Sequence, residues 1–255
     1  MKTRIYLNST VVTLAIAMLM IQVPVLRAQE INLEDQLILY LPMTGNVQDE
    51  SGQNVPTQSR GATLTADRHG NPVQAYLFDG VNDFIEINNN QALITSMAYT
   101  ICMWARMDGP SGALAGSNSL FEQRDAGYGA PVVIHFNADQ GGISRHIVRT
   151  SAEITEYKTD TNYPGYGEWH HFVAMIDPGR TMYIFIDGEL RTTTLLENNG
   201  NFHFNVQYVS IGGHHPESKT LGAFNGAIDE VYVYSRALKL CEIEALYSGQ
   251  LLNER

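Results

Sequence analysis

Between Phe78 and Ile87 the chain reads Phe-Asp-Gly-Val-Asn-Asp-Phe-Ile-Glu-Ile, a Gly/Asn/Asp turn enclosed by two apolar stretches. Such a turn tolerates positive φ angles and reverses a strand within a few residues. The same signal recurs at Tyr183-Ile184-Phe185-Ile186-Asp187-Gly188-Glu189-Leu190. Apolar or β-branched runs occupy 37–41, 75–78, 84–87, 99–107, 119–122, 132–136, 143–149, 170–176, 182–186, 208–211 and 227–234. Gly, Asn, Asp or Pro separates most of them, the punctuation of an all-β sandwich. Only the stretch from Leu238 to Leu246 has helical spacing, with Leu240, Ile243 and Tyr247 on one face.

The first residues predict an export signal. Lys2 and Arg4 precede an apolar run from Val11 to Ile21, Pro24 breaks it, and Ala28 is a small residue before Gln29. The run falls short of the about 20 residues that span a bilayer. The expected division is a signal peptide over 1–28 and one domain over 29–255, exported to the periplasm, the cell surface or the medium. Cleavage removes Lys2, Arg4 and Arg27 and no acidic residue, taking the formal net charge from −11 to −14. An acidic surface repels phosphate backbones, so nucleic acid is not an expected partner. Export permits a disulfide between Cys102 and Cys241, but spacing does not decide it; the plain alternative is two buried thiols.

Two further segments accompany the Phe78–Ile87 turn: Leu39-Tyr40-Leu41-Pro42-Met43-Thr44-Gly45-Asn46-Val47-Gln48-Asp49-Glu50-Ser51-Gly52 and Asn225-Gly226-Ala227-Ile228-Asp229-Glu230-Val231-Tyr232-Val233-Tyr234-Ser235-Arg236-Ala237-Leu238. In this order and separation the three resemble the laminin-G-like jelly-roll domains of the concanavalin A-like lectin/glucanase superfamily. The resemblance implies two antiparallel sheets in a jelly-roll sandwich with a short C-terminal helix. It also implies a Ser or Thr cap on that helix, where Lys239 stands here. Trp104 and the segment Trp169-His170-His171-Phe172-Val173-Ala174 match the same pattern, in which each indole is expected as a core anchor. One such fold serves lectins, hydrolases and adhesion modules, so function rests on the site.

Hydrolysis of a glycoside needs two carboxylates about 5–5.5 Å apart if retaining, or about 6.5–9.5 Å if inverting. Asp229 and Glu230 are adjacent, so in a regular strand they point to opposite faces. Glu86 stands alone between Ile85 and Ile87. No catalytic residue is therefore assigned. The resemblance implies a structural calcium, with Asp49, Asp79 and Asp229 at recurring acidic places; the plain alternative is that each caps a turn. More distant pentraxin relatives hold calcium through two loops, matched here by Glu122, Arg124 and Asp125 and by His214, His215 and Glu217. Histidines there do not suit calcium. Tyr128, Tyr163 and Tyr166 lie among Gly, Pro and Asn with Arg124 and Asn162 as hydrogen-bonding flanks. Aromatics on such loops are candidates for sugar stacking. The expected role is a non-catalytic carbohydrate- or glycoprotein-binding module. The alternatives are a glycoside hydrolase or lyase and a protein-binding adhesion module. Two carboxylates meeting in one groove would mark the former, a flat apolar patch the latter.

Overall fold

A computed structural model describes residues 31–249 except 88–92, 112–116, 126–131, 138–142, 151–155, 198–199, 201–205 and 214–221. The proposed signal peptide, Tyr128, His214, His215 and Glu217 lie outside the described residues. Among those described, fifteen strands and one helix form two wholly antiparallel sheets. The first contains β1 (Leu37–Leu41), β3 (Thr63–Thr65), β4 (Ala75–Asp79), β6 (Tyr99–Met107), β11 (Trp169–Ile176), β12 (Thr181–Ile186), β13 (Glu189–Leu195) and β15 (Asn225–Tyr234). Its order is β13-β12-β11-β6-β15-β4-β3, and β1 pairs with the second half of β15. The second sheet runs β10-β9-β8-β7-β14-β5-β2. These are Glu156–Asn162, Ile143–Arg149, Val132–Asn137, Ser117–Asp125, Val206–Ile211, Phe84–Ile87 and Thr57–Arg60.

Alternation decides which residues meet between the layers. Leu39 and Leu41 of β1, Ile85 and Ile87 of β5, Ile101 and Met103 of β6 and Ile211 of β14 join one buried cluster. Each such side chain contributes roughly 1.5–3 kcal/mol by leaving water. Phe78 meets Phe224 edge-on at 6.1 Å within this core. The Asp187-Gly188 turn has φ of 55° and 77° at its two residues, as a tight hairpin requires. Gly226 has φ 151°, and a Cβ there would collide with the Arg106 carbonyl oxygen, so glycine lets β15 lie close to β6.

The helix α1 (Leu240–Ser248) covers part of the outer face of the first sheet. Leu238, Ile243 and Leu246 pack there with Cys102, Val173, Phe185 and Tyr234. No side chain of Lys239 caps the helix; Glu242 reaches back to the Lys239 N–H at 2.8 Å instead. Arg236 grips the same carboxylate with Nη1 at 2.7 Å and Nη2 at 3.0 Å. Its remaining donors reach the Asn32 and Asp35 carbonyls at 2.7 and 2.8 Å. One guanidinium therefore ties the lead-in, the end of β15 and the helix start together. Cys102 is buried, Cys241 is half-buried, and no disulfide joins them.

Candidate functional site

Where α1 stops, the outer face of the first sheet stays open. The result is a groove of about 810 Å³ lined by Leu33, Arg68, His69, Trp104, Trp169, Glu230, Tyr232, Tyr247 and the helix end through Gly249. Cross-strand register builds its floor. Trp104 on β6 lies opposite His171 on β11 and Asp229 on β15, so all three side chains share one face. Trp169 lies opposite Arg106, two residues along β6 from Trp104. The two indoles are thus diagonal neighbours, a spacing of roughly 7–8 Å. Trp104 is buried beneath Tyr247, their rings stacked at 5.7 Å and 22°. Trp169 is half-buried, with the Arg106 guanidinium 5.4 Å from its ring centre. The indoles therefore form a groove floor, and neither belongs to the two apolar clusters.

A β-bulge overturns the expectation that Asp229 and Glu230 face apart. Between Asp229 and Tyr232 the strand β15 advances three residues while β6 advances two, and Glu230 takes φ 47°. The extra residue re-aims a side chain, as bulges do. Both carboxylates now meet Arg68: its Nη1 lies 3.4 Å from Asp229 Oδ2 and 3.3 Å from Glu230 Oε1. The same guanidinium sits 4.5 Å over the Trp104 ring. Arg68 is presented by a tight turn in which Asp67 Oδ1 accepts the His69 and Asn71 N–H groups at 2.8 Å each. Asp229, only 2% exposed, also accepts the Glu230 N–H at 2.8 Å. Burial and then the charge of Glu230 push its carboxyl up to about 7, against the pull of Arg68. Burial pushes His171 down to about 3, so it is a neutral ring at physiological pH. The buried atoms Trp104 Nε1 and His171 Nδ1 have no hydrogen-bond partner among the described residues.

The residues singled out in sequence do not gather here. Tyr163 packs against the core edge, stacked on Phe172 at 6.4 Å, and Tyr166 joins it at 5.8 Å while 51% exposed. Asn162 ends β10 and is exposed. Arg124 is buried on the outer face of the opposite sheet, paired with Glu122. The tyrosine pair is thus a rim feature, and Arg124 stands apart from it on the second sheet.

The acidic positions are also separate. Asp49 Oδ1 accepts the Tyr40 and Ser51 N–H groups at 3.0 and 2.9 Å, and Oδ2 accepts the Ser51 hydroxyl and the Val55 N–H, both at 2.9 Å. Asp79 Oδ1 accepts Val81 and Asn82 N–H at 2.8 and 3.2 Å. Calcium needs six to eight oxygens at about 2.3–2.6 Å. Lone pairs engaged by N–H donors, and a guanidinium beside Asp229, fit turn capping and ion pairing rather than that ion. Among the described residues no three His, Cys, Asp or Glu side chains gather as a metal site.

Residues 79–244 match the family model of a laminin-G-type domain. The chain belongs to the concanavalin A-like lectin/glucanases superfamily. Solved structures within reach of this fold include the receptor-binding domain of botulinum neurotoxin D, with TM-score 0.67 and 15% identity over 87% of this chain and 54% of that one. The binding domain of Paraclostridial mosquitocidal protein 1 matches with TM-score 0.67 and 18% identity over 86% and 53%. The binding domain of botulinum neurotoxin DC, solved in complex with rat synaptotagmin II, matches with TM-score 0.64 and 16% identity over 85% and 52%. The chain spans about half the length of these structures, and at such identities the likeness is one of fold. No curated protein matches the sequence. No helix among the described residues is long and apolar enough to cross a membrane.

Proposed function

We propose that the protein is an exported, non-catalytic glycan- or glycoprotein-binding module whose ligand lies in the groove over Trp169. The observation that carries this reading is the groove itself: two diagonal indoles and two tyrosines border it, with Glu230 as the polar flank. Sugar rings present apolar C–H faces to such surfaces, and indoles offer broad area with little conformational freedom to lose. The botulinum neurotoxin binding domains share this fold, one of them in complex with rat synaptotagmin II. The concave shape supports a ligand with protruding rings over a flat protein partner.

A glycan array of the mature chain tests the reading, with Trp169→Ala as the matched variant. Retention is expected to fall at least about tenfold in the variant while the circular dichroism spectrum stays unchanged. Equal retention would remove the groove as the ligand site. The array is run with and without calcium, since calcium-dependent retention would give a metal to residues outside the described set.

Hydrolysis is the second reading, and one observation favours it: Asp229 and Glu230 meet at one guanidinium, with the Asp229 carboxyl pushed up to about 7. The burial of Asp229 beneath the groove floor weighs against it, because a general acid must come within hydrogen-bond reach of the scissile oxygen. Release of reducing ends from any retained glycan, abolished by Asp229→Asn, would establish the enzyme instead.

A further inference from the structure

We infer that the groove selects uncharged glycans and rejects uronate- and sulfate-bearing ones, an inference that rests on the groove being the glycan site. Recognition of a carboxylate or sulfate calls for a cation with donors to spare, most often a bidentate guanidinium. Among the described residues Arg68 is the arginine that lines the groove and Arg106 stands beside Trp169, and both are already engaged. Arg68 directs Nη1 to Asp229 and both Nη atoms to Glu230, and lies 4.5 Å over the Trp104 ring. Arg106 holds Asp108 bidentately at 2.7 and 2.8 Å and lies 5.4 Å from the Trp169 ring centre.

At Arg68 the polar wall therefore presents Glu230, with Asp229 buried behind the same guanidinium. Glu230 is the member that opens to the groove, with 28% of its side chain exposed. A carboxylate accepts hydrogen bonds and donates none while ionised, so it receives sugar hydroxyls and repels an anionic substituent. The overall acidity of the chain acts in the same sense at longer range. Trp169, half-buried at the groove, supplies the stacking position for a neutral hexose ring, while Trp104 lies covered by Tyr247 and Arg68.

The test compares retention of the mature chain on a neutral hexose oligomer, a uronate oligomer and a sulfated hexose oligomer. It is run at about 0.15 M and 1 M salt. The neutral oligomer is expected to bind at least about tenfold more tightly than either acidic one at both salt concentrations. Glu230→Gln is expected to narrow that gap by admitting the uronate oligomer. Equal or tighter binding of an acidic oligomer by the native chain would overturn the selectivity and leave the groove as a glycan site. A gap that closes in high salt would overturn it too, assigning exclusion to overall charge. Retention of no oligomer of any class would remove the glycan-binding reading, and this inference with it.

Discussion

Asp229 lies beneath the Arg68 guanidinium with its carboxyl pushed up to about 7, first by burial and then by Glu230. An aspartate in an unfolded chain gives up its proton near pH 4. Between those two values the native state binds the extra proton, so rising pH removes stability. His146 and His171, both pushed down to about 3 mainly by burial, act in the opposite sense. Their unfolded forms take a proton below about pH 6.5, so falling pH removes stability there. The opposed slopes mask each other in the native curve, and a difference measurement separates them. Asp229→Asn keeps the shape and the acceptor for the Glu230 N–H without the titration. The melting temperature of the variant minus that of the native chain is expected to climb from about pH 4 to pH 7 and then level. Calorimetry across that range checks it, and a flat difference would mean that Asp229 ionises normally.

The helix α1 depends on a side chain outside it. Arg236 is the counter-ion of Glu242, whose side chain is 1% exposed. Burial works to raise the Glu242 carboxyl, but hydrogen bonds from Arg236 and Lys239 hold it below the usual range. This contribution is present above the unfolded glutamate pKa and is lost as acid titrates the native group. Arg236→Leu leaves that carboxylate buried without its cation, and a loss of about 3–5 kcal/mol in chemical denaturation is expected. A loss below about 1 kcal/mol would show the clamp to be incidental. The tie between Arg236 and Glu242 had no sequence signal beyond a missing cap at Lys239, because it joins side chains through tertiary contact. Element by element, apolar strands were legible, since alternation and Gly/Asp corners report directly on a half-buried pleat. Thr57–Arg60, Thr63–Thr65, Glu156–Asn162 and Glu189–Leu195 were not. Each ends the path of strands in its sheet, and their polar stretches lack the apolar period that burial imposes. The groove was hidden for related reasons. Alternation places Trp104 on a face without saying whether a helix covers it, and the bulge at Glu230 breaks the period that set Asp229 and Glu230 apart.

For the molecule as a whole, the residues after the proposed cleavage site tie into the fold through Arg236. The proposed cut after Ala28 lies four residues before Asn32, whose carbonyl is the first described acceptor of Arg236. Leu33, one residue further, lines the groove. A chain beginning at Gln29 retains the Asn32 and Asp35 carbonyls and the groove wall, so its stability is expected to match that of the full chain within about 0.5 kcal/mol. A chain beginning at Gln36 loses both acceptors and Leu33. Hydrogen bonds to a charged group contribute about 1.5–3 kcal/mol each, and water regains part of that at an exposed edge, so a net loss of about 1–3 kcal/mol is expected. N-terminal sequencing of the exported protein, followed by urea denaturation of both truncations, measures these quantities. Equal stability of the two shorter chains would detach the lead-in from the fold. A mature terminus beyond Asp35 would show that Arg236 works without those carbonyls in the exported form, and α1 would then rest on Glu242 and the apolar contacts beneath it.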